Sequence, residues 1–419
     1  MSPQFVFNLI IILVVIDYLF ESVLDLLNLK NLSETPPPEL DDLYDTEKYR
    51  RSQQYERVNS RFGLITRSFN VVLILLMFFL DGFARVDAIA AGISAHPILQ
   101  PLIFFAILGV AYDLINTPFS VYDTFVIEQR FGFNKTTPKL FVFDKLKGWM
   151  LSAGLGGGIT ALIIYFYLCA GDSFWLWAWA LVSAFMLFMA TFYSSLIVPL
   201  FNKQKPLDDG ELKQQITDYA ERAGFRAEVY TIDGSKRSTK ANAYFSGMGR
   251  KKRIVLFDTL IEDLSGNEIV AVLMHEIGHY RKKHIVGSMI VSILQTGMML
   301  FILSLFVSQP VLSQALGVAD ASFHIGLIAF GVLYSPISGV VGVAMSLLSR
   351  KNEYQADRFA AQYGMSESLI GALKKLSVNN LSNLTPHPLY VFFHYSHPTL
   401  LQRIRKLKAS HGEQQSANT

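Results

Sequence analysis

The sequence predicts a mainly α membrane protein, a bundle of seven transmembrane helices carrying a small α+β lobe on one side of the bilayer. Three observations predict it. Charged residues make up only 17% of the 419 residues and apolar ones 51%, with positive mean hydropathy. A soluble domain carries roughly 25% charge. Seven stretches approach the roughly 20 apolar residues that a helix needs to cross a bilayer core. Lysine and arginine, finally, fall almost wholly in every second segment between those stretches. The net charge of +3 is too small and too dispersed for nucleic-acid binding. No Gly-x-x-x-x-Gly-Lys-Ser/Thr loop is present, so no nucleotide partner is expected either.

The spans are expected near 5–23, 64–84, 98–118, 149–169, 174–200, 285–307 and 323–348. Asn8, Asp17 and Glu21 interrupt the first, which lacks the basic start and small-residue cleavage site of a signal peptide. It reads as a retained anchor. Segments 24–63, 119–148, 201–284 and 349–419 hold 6, 5, 15 and 9 Lys+Arg, and the intervening ones hold one at most. Basic loops stay cytoplasmic, which places the N-terminus outside and the C-terminus inside. Residues 1–200 then form an N-terminal membrane domain of five spans with cytoplasmic loops 24–63 and 119–148. Residues 201–419 form a second domain with the last two spans and a cytoplasmic C-terminal region. Asp17, Asp81 and Asp113 lie within or beside spans, as interior polar packing or as the lining of a wet cavity. The single cysteine, Cys169, rules out an internal disulfide and a cysteine-based zinc site.

The lobe reads in order along 201–284. An amphipathic helix is expected near Asp209–Ala223, then strands near Ala227–Ile232, Ala241–Phe245 and Arg253–Phe257, the last two joined at Gly247-Met248-Gly249. Ser265 with Glu268 three residues on forms a capping box. The apolar run Ile269–Met274 leads from it into His275-Glu276-Ile277-Gly278-His279, so the HExxH motif lies on a helix with a marked start. Residues four apart share a helical face, and His275 and His279 can present nitrogens to one zinc ion. Glu276 is turned away from them and fits the role of general base toward water.

A catalytic zinc takes three protein ligands. Glu353, in Asn352-Glu353-Tyr354-Gln355-Ala356-Asp357, is the candidate third, and Asp357 one turn on could hold a histidine N–H. His279 lies six residues before the sixth span, about 9 Å of helix, and Glu353 is similarly close to the seventh. The metal is thus expected at the cytoplasmic membrane surface, where a peptide bond beside a lipid group could reach it.

At these residues the sequence resembles the type 1 CAAX prenyl proteases, membrane zinc endopeptidases of the gluzincin class. Tyr122–Lys135, Ala241–Gly247, Glu353–Asp357 and Ser396-His397-Pro398 look like that family's motifs in order, and the likeness runs from about residue 5 to about 408. The resemblance implies a zincin-like cytoplasmic lobe, one Zn2+ per chain on His275, His279 and Glu353, and water activated by Glu276. It implies that His397 hydrogen-bonds the oxyanion, that Asn242 and Ala243 hold an extended substrate backbone, and that Arg403 lies near the site. It also implies a bundle enclosing a large chamber. The activity so implied is removal of the C-terminal tripeptide from prenylated CAAX proteins or peptides. Quality-control proteolysis of membrane proteins without a prenyl requirement is the alternative, and a non-catalytic chamber for lipidated peptides the third. The intact Glu276 argues against the third. A short loop between spans six and seven and a tail, Gln414–Thr419, without a retention signal point to a bacterial inner-membrane member; a eukaryotic one would sit in the endoplasmic reticulum membrane.

Overall fold

The computed structural model describes all residues except 34, 41–45, 227, 248–251, 418 and 419. The expected Gly247-Met248-Gly249 turn therefore lies mostly outside the described residues. The chain is mainly helical. Five stretches of helix among the described residues are long and apolar enough to cross a membrane: Glu47–Phe79, Leu99–Glu128, Pro138–Phe201, His284–Phe306 and Phe323–Gln362. The expected spans 149–169 and 174–200 both fall inside Pro138–Phe201. A π-helical turn at Ser152–Gly156 continues the helix, whereas at the 3-10 turn Gly171–Ser173, with φ of 52° at Gly171, the chain doubles back and the helices Gly157–Ala170 and Phe174–Leu196 pack on each other. The expected first span lies in the helix Pro3–Lys30, which is not among the five.

Buried apolar side chains gather in separate places. One cluster, with Val6, Phe78, Phe104, Phe174, Leu303 and Phe323, joins the ends of the membrane helices far from the lobe. Another, with Ile254, Leu256, Ile269, Met274, Ala360 and Ile404, is the core of the lobe.

The lobe's sheet has four strands, β1 (Gln204–Pro206), β2 (Glu228–Ile232), β3 (Ala243–Ser246) and β4 (Arg253–Phe257), in the order β1-β2-β4-β3. β2 and β4 run parallel, and β3 pairs antiparallel with β4, Tyr244 opposite Val255. The strand expected at Ala241–Phe245 thus begins two residues later, and β3 is an edge of the sheet. It packs against the helix Gly266–Arg281, which carries the HExxH motif.

That motif helix starts where the sequence marks it. The Ser265 backbone N–H and hydroxyl both donate to Glu268 Oε2 at 2.8 Å, and Lys375 Nζ adds a third donor at 2.7 Å. An acidic group in the first turn also complements the helix dipole. At its other end Lys283, with φ of 58°, turns the chain sharply into the helix His284–Phe306.

The motif helix lies against the long helix Phe323–Gln362 so closely that a Cβ at Gly278 would meet Ala356 Cα at 3.0 Å and Phe359 Cβ at 3.1 Å. Only glycine permits this approach. It is the contact that brings the second metal-motif segment up to the first.

Candidate active site

His275 and His279, one helical turn apart, face Glu353 across that helix contact. His275 Nε2 lies 3.4 Å from Glu353 Oε2, His279 Nε2 lies 3.2 Å from Glu353 Oε1, and the two Nε2 atoms are 3.2 Å apart. Two imidazole nitrogens and a carboxylate oxygen within 4.8 Å of one another could hold one metal ion. The donor set, His-His-Glu, is one that suits zinc with an open fourth position.

The far side of each imidazole is also held. His275 Nδ1 lies 2.8 Å from Asp357 Oδ1, which therefore accepts its N–H and makes Nε2 the atom that gives up its proton to a metal ion. Asp357 in turn accepts from Arg403 Nε at 2.9 Å and from Arg403 Nη2 at 2.6 Å. Arg403 reaches Glu353 as well, at 3.6 Å. All three side chains are nearly closed to solvent. Burial disfavours charge on His275, but Asp357 and Glu353 outweigh it and push its pKa up to about 9.

His279 has a partner that the sequence did not suggest. His284 Nδ1 lies 3.2 Å from His279 Nδ1, and His284 Nε2 lies 3.0 Å from Gln355 Oε1. Gln355 can only accept at that atom, so His284 carries its proton on Nε2 and accepts at Nδ1 from His279. Both imidazoles in the site are thereby oriented by a hydrogen bond from the rear. The available signal was position alone: His284 follows His279 by five residues, and Gln355 stands between Glu353 and Asp357.

His397 reaches the same carboxylate, with Nε2 3.3 Å from Glu353 Oε1 and its side chain 63% exposed. Its Nδ1 lies 3.0 Å from Ser396 Oγ. Glu276 is half-buried on the motif helix beside His275, and its charge is felt by Arg403. The structure thus gathers His275, His279, Glu353, Asp357, His397 and Arg403 into one cluster.

Asn242 and Ala243 stand apart from it, at the start of the β3 edge. Asn242 is exposed; its carbonyl accepts from Phe257 N–H at 3.1 Å, and its Oδ1 accepts from Ala243 N–H at 2.8 Å. Their lead-in is fastened to the segment 128–144. Thr239 N–H donates to Phe133 O at 3.1 Å, Arg237 makes a two-pronged pair with Asp144 at 2.9 and 3.0 Å, and Lys240 meets Glu128 at 3.0 Å.

A multi-pass membrane metallopeptidase is the class this fold and site define. Residues 206–411 match the model for peptidase family M48, and residues 25–203 the one for the CAAX prenyl protease N-terminal region with five membrane helices. The chain is 36% identical to CAAX prenyl protease 1 of Saccharomyces cerevisiae over 93% of its length and 92% of that protein's. It is 33% identical to the CAAX prenyl protease 1 homolog of Homo sapiens, covering 89% and 88%. The crystal structure of S. mikatae Ste24p superposes with a TM-score of 0.90 at 35% identity, over 97% of this chain and 99% of that one. The chain belongs to the CAAX prenyl protease 1 family of M48 metalloendopeptidases. The expected bacterial origin is not borne out, since these relatives come from yeasts and human.

Proposed function

We propose that this protein removes C-terminal residues from prenylated CAAX-type proteins by zinc-dependent hydrolysis of a peptide bond. The observation that carries the reading is the convergence of His275, His279 and Glu353 under His397. The likeness to CAAX prenyl proteases over nearly the whole chain supports the substrate class.

In this reading His275, His279 and Glu353 hold one zinc ion, with Asp357 and Arg403 fixing the first imidazole. Bound zinc supplies a Lewis acid and lowers the pKa of water at the site. Glu276 takes a proton from the attacking water and returns it to the leaving amine. His397 donates a hydrogen bond to the oxyanion of the tetrahedral intermediate. The substrate lies extended and antiparallel to the β3 edge, with Asn242 and Ala243 on its backbone, as peptides commonly add to a free sheet edge.

We further propose seven spans around a chamber, divided at residue 200, with the C-terminus cytoplasmic. Cavities of about 610 and 410 Å³ that share Leu13, Asp17, Glu21 and Ser335 support a wet interior. So does the separation of the two large apolar clusters. With eukaryotic relatives, the endoplasmic reticulum membrane is the location that fits.

The test is mass spectrometry of a farnesylated CAAX peptide and an unlipidated membrane-protein peptide, each incubated with purified enzyme. Release of the tripeptide from the farnesylated substrate is expected. Equal turnover of both peptides would replace this reading with general membrane-protein proteolysis.

A further inference from the structure

His397 is the least enclosed member of the cluster, and it follows a short helix, Pro388–His394, by only three residues. Something must fix where that helix ends, because an error of about 1 Å in a reacting group can cost about 100-fold in rate. The last carbonyls of a helix have no partner within it. Here they have one from outside, which Val391 O takes in addition to the Tyr395 N–H at 3.1 Å. Arg350 Nη1 donates to Val391 O at 2.9 Å and also to Tyr395 O, two residues before His397. Arg350 Nη2 donates to Phe392 O at 3.3 Å.

The guanidinium therefore closes the final turn of this helix and holds the first residue beyond it. A cation at a helix C-terminus is favoured by the dipole as well. The start of the same helix is pinned independently, by His387 N–H donating to Asn28 Oδ1 at 3.1 Å. Arg350 also stands three residues before Glu353 on the long helix, less than one turn away. The clamp on the His397 segment and the carboxylate that His397 approaches thus ride on the same rigid element.

We propose that Arg350 is a positioning residue for the reaction: it sets the height of His397 over Glu353 without itself touching substrate or metal. The inference rests on the reading of His397 as the oxyanion donor. A lysine would keep the charge but lose the planar fork that spans several carbonyls.

The test is a double-mutant cycle on purified full-length enzyme, with kcat and KM for a farnesylated CAAX peptide, zinc content and thermal unfolding measured for each variant. Arg350→Ala is expected to lower kcat roughly 10- to 100-fold with KM and zinc content little changed, and Arg350→Lys to fall between it and wild type. His397→Ala is expected to lose roughly 100-fold or more. In the His397→Ala background, Arg350→Ala should then cost no more than about twofold, because the group it positions is gone. Independent losses that multiply would overturn the proposal. Where Arg350→Ala fails to fold, the same cycle run with Arg350→Lys decides by the same criterion. A His397→Ala enzyme with unchanged kcat would instead overturn the role of His397, and with it the purpose assigned to Arg350.

Discussion

Replacing Asp357 by alanine removes one carboxylate that serves two buried partners, and the structure separates the two costs. The first is orientation. Asp357 Oδ1 accepts the Nδ1–H of His275 at 2.8 Å, and without it the imidazole can rotate or change tautomer. Loss of such an outer hydrogen bond typically weakens metal binding about 10- to 100-fold. The second is charge. Arg403, with its side chain 11% exposed, keeps one carboxylate, Glu353 at 3.6 Å, and His275 Nδ1 at 3.3 Å once its two bonds to Asp357 are gone. Stranding a buried charge costs about 3–5 kcal/mol. The double variant Asp357→Ala/Arg403→Ala removes the stranded cation and should be more stable than Asp357→Ala by about 1–3 kcal/mol, although it deletes more atoms. Thermal unfolding of the metal-stripped protein in detergent reads the stability, and competition with a zinc-chelating dye reads the affinity. Zinc affinity should stay low in both variants, since neither restores the acceptor for His275. A double variant less stable than the single one would refute the buried-pair argument, and undiminished affinity would refute the role given to Asp357.

Three further outcomes are expected. Glu276→Gln should abolish hydrolysis while keeping zinc, because it removes a base and not a ligand; metal content measured beside turnover checks this, and loss of zinc would reverse the roles. Gly278→Ala should destabilise the lobe by about 1–3 kcal/mol, as overpacking does, because the new Cβ would press on the Ala356 backbone; unchanged unfolding would contradict the close helix contact. Zinc must displace a proton from His275, whose pKa is raised to about 9, so affinity should climb by up to about tenfold per pH unit below 9 and level off above it. The sign is opposite for the metal-free protein: its His275 contribution to stability is complete below the free-histidine pKa of about 6.5 and is lost as pH rises through about 9. A zinc affinity independent of pH between 6 and 8 would count against it.

What could be read from the sequence was local. Ser265 and Glu268 mark a helix start from three residues apart, and His275 and His279 meet because the helix repeats. Arg253–Phe257 was legible as a strand for the same reason, in its β-branched and aromatic run. The membrane helices were harder to count. Hydropathy sees Gly171–Ser173 as a break between spans, and there the backbone leaves the helix at Gly171, with φ of 52°, and makes a 3-10 turn too short to stand out as a loop. His284 and Arg350 were missed because their partners are distant, Gln355 lying 71 residues on and Val391 41 residues on. A histidine just past a zinc motif and an arginine at the end of an apolar run have bland explanations until the chain is folded.

The long helix Phe323–Gln362 gives those distant contacts a common origin. At about 100° per residue, Arg350, Glu353 and Asp357 fall within an arc of about 60° on one face. From that face Glu353 meets both motif histidines, Asp357 orients His275 and Arg403, and Arg350 fixes the segment that ends in His397. Gln355 adds the hold on His284 from the same stretch. Each contact alone could be made from a loop, but then each would move independently of the rest. Built on one helix, the proposed metal position, the imidazole orientation and the proposed oxyanion donor share a single frame. Toward its start the same helix is buried in the apolar cluster at the far end of the membrane bundle, through Phe323, Ile325, Ala329 and Phe330. The geometry of the chemistry is therefore anchored in membrane packing. A peptidase lobe cut away from its spans would lose the element that aligns its catalytic groups, even with every one of those groups still present.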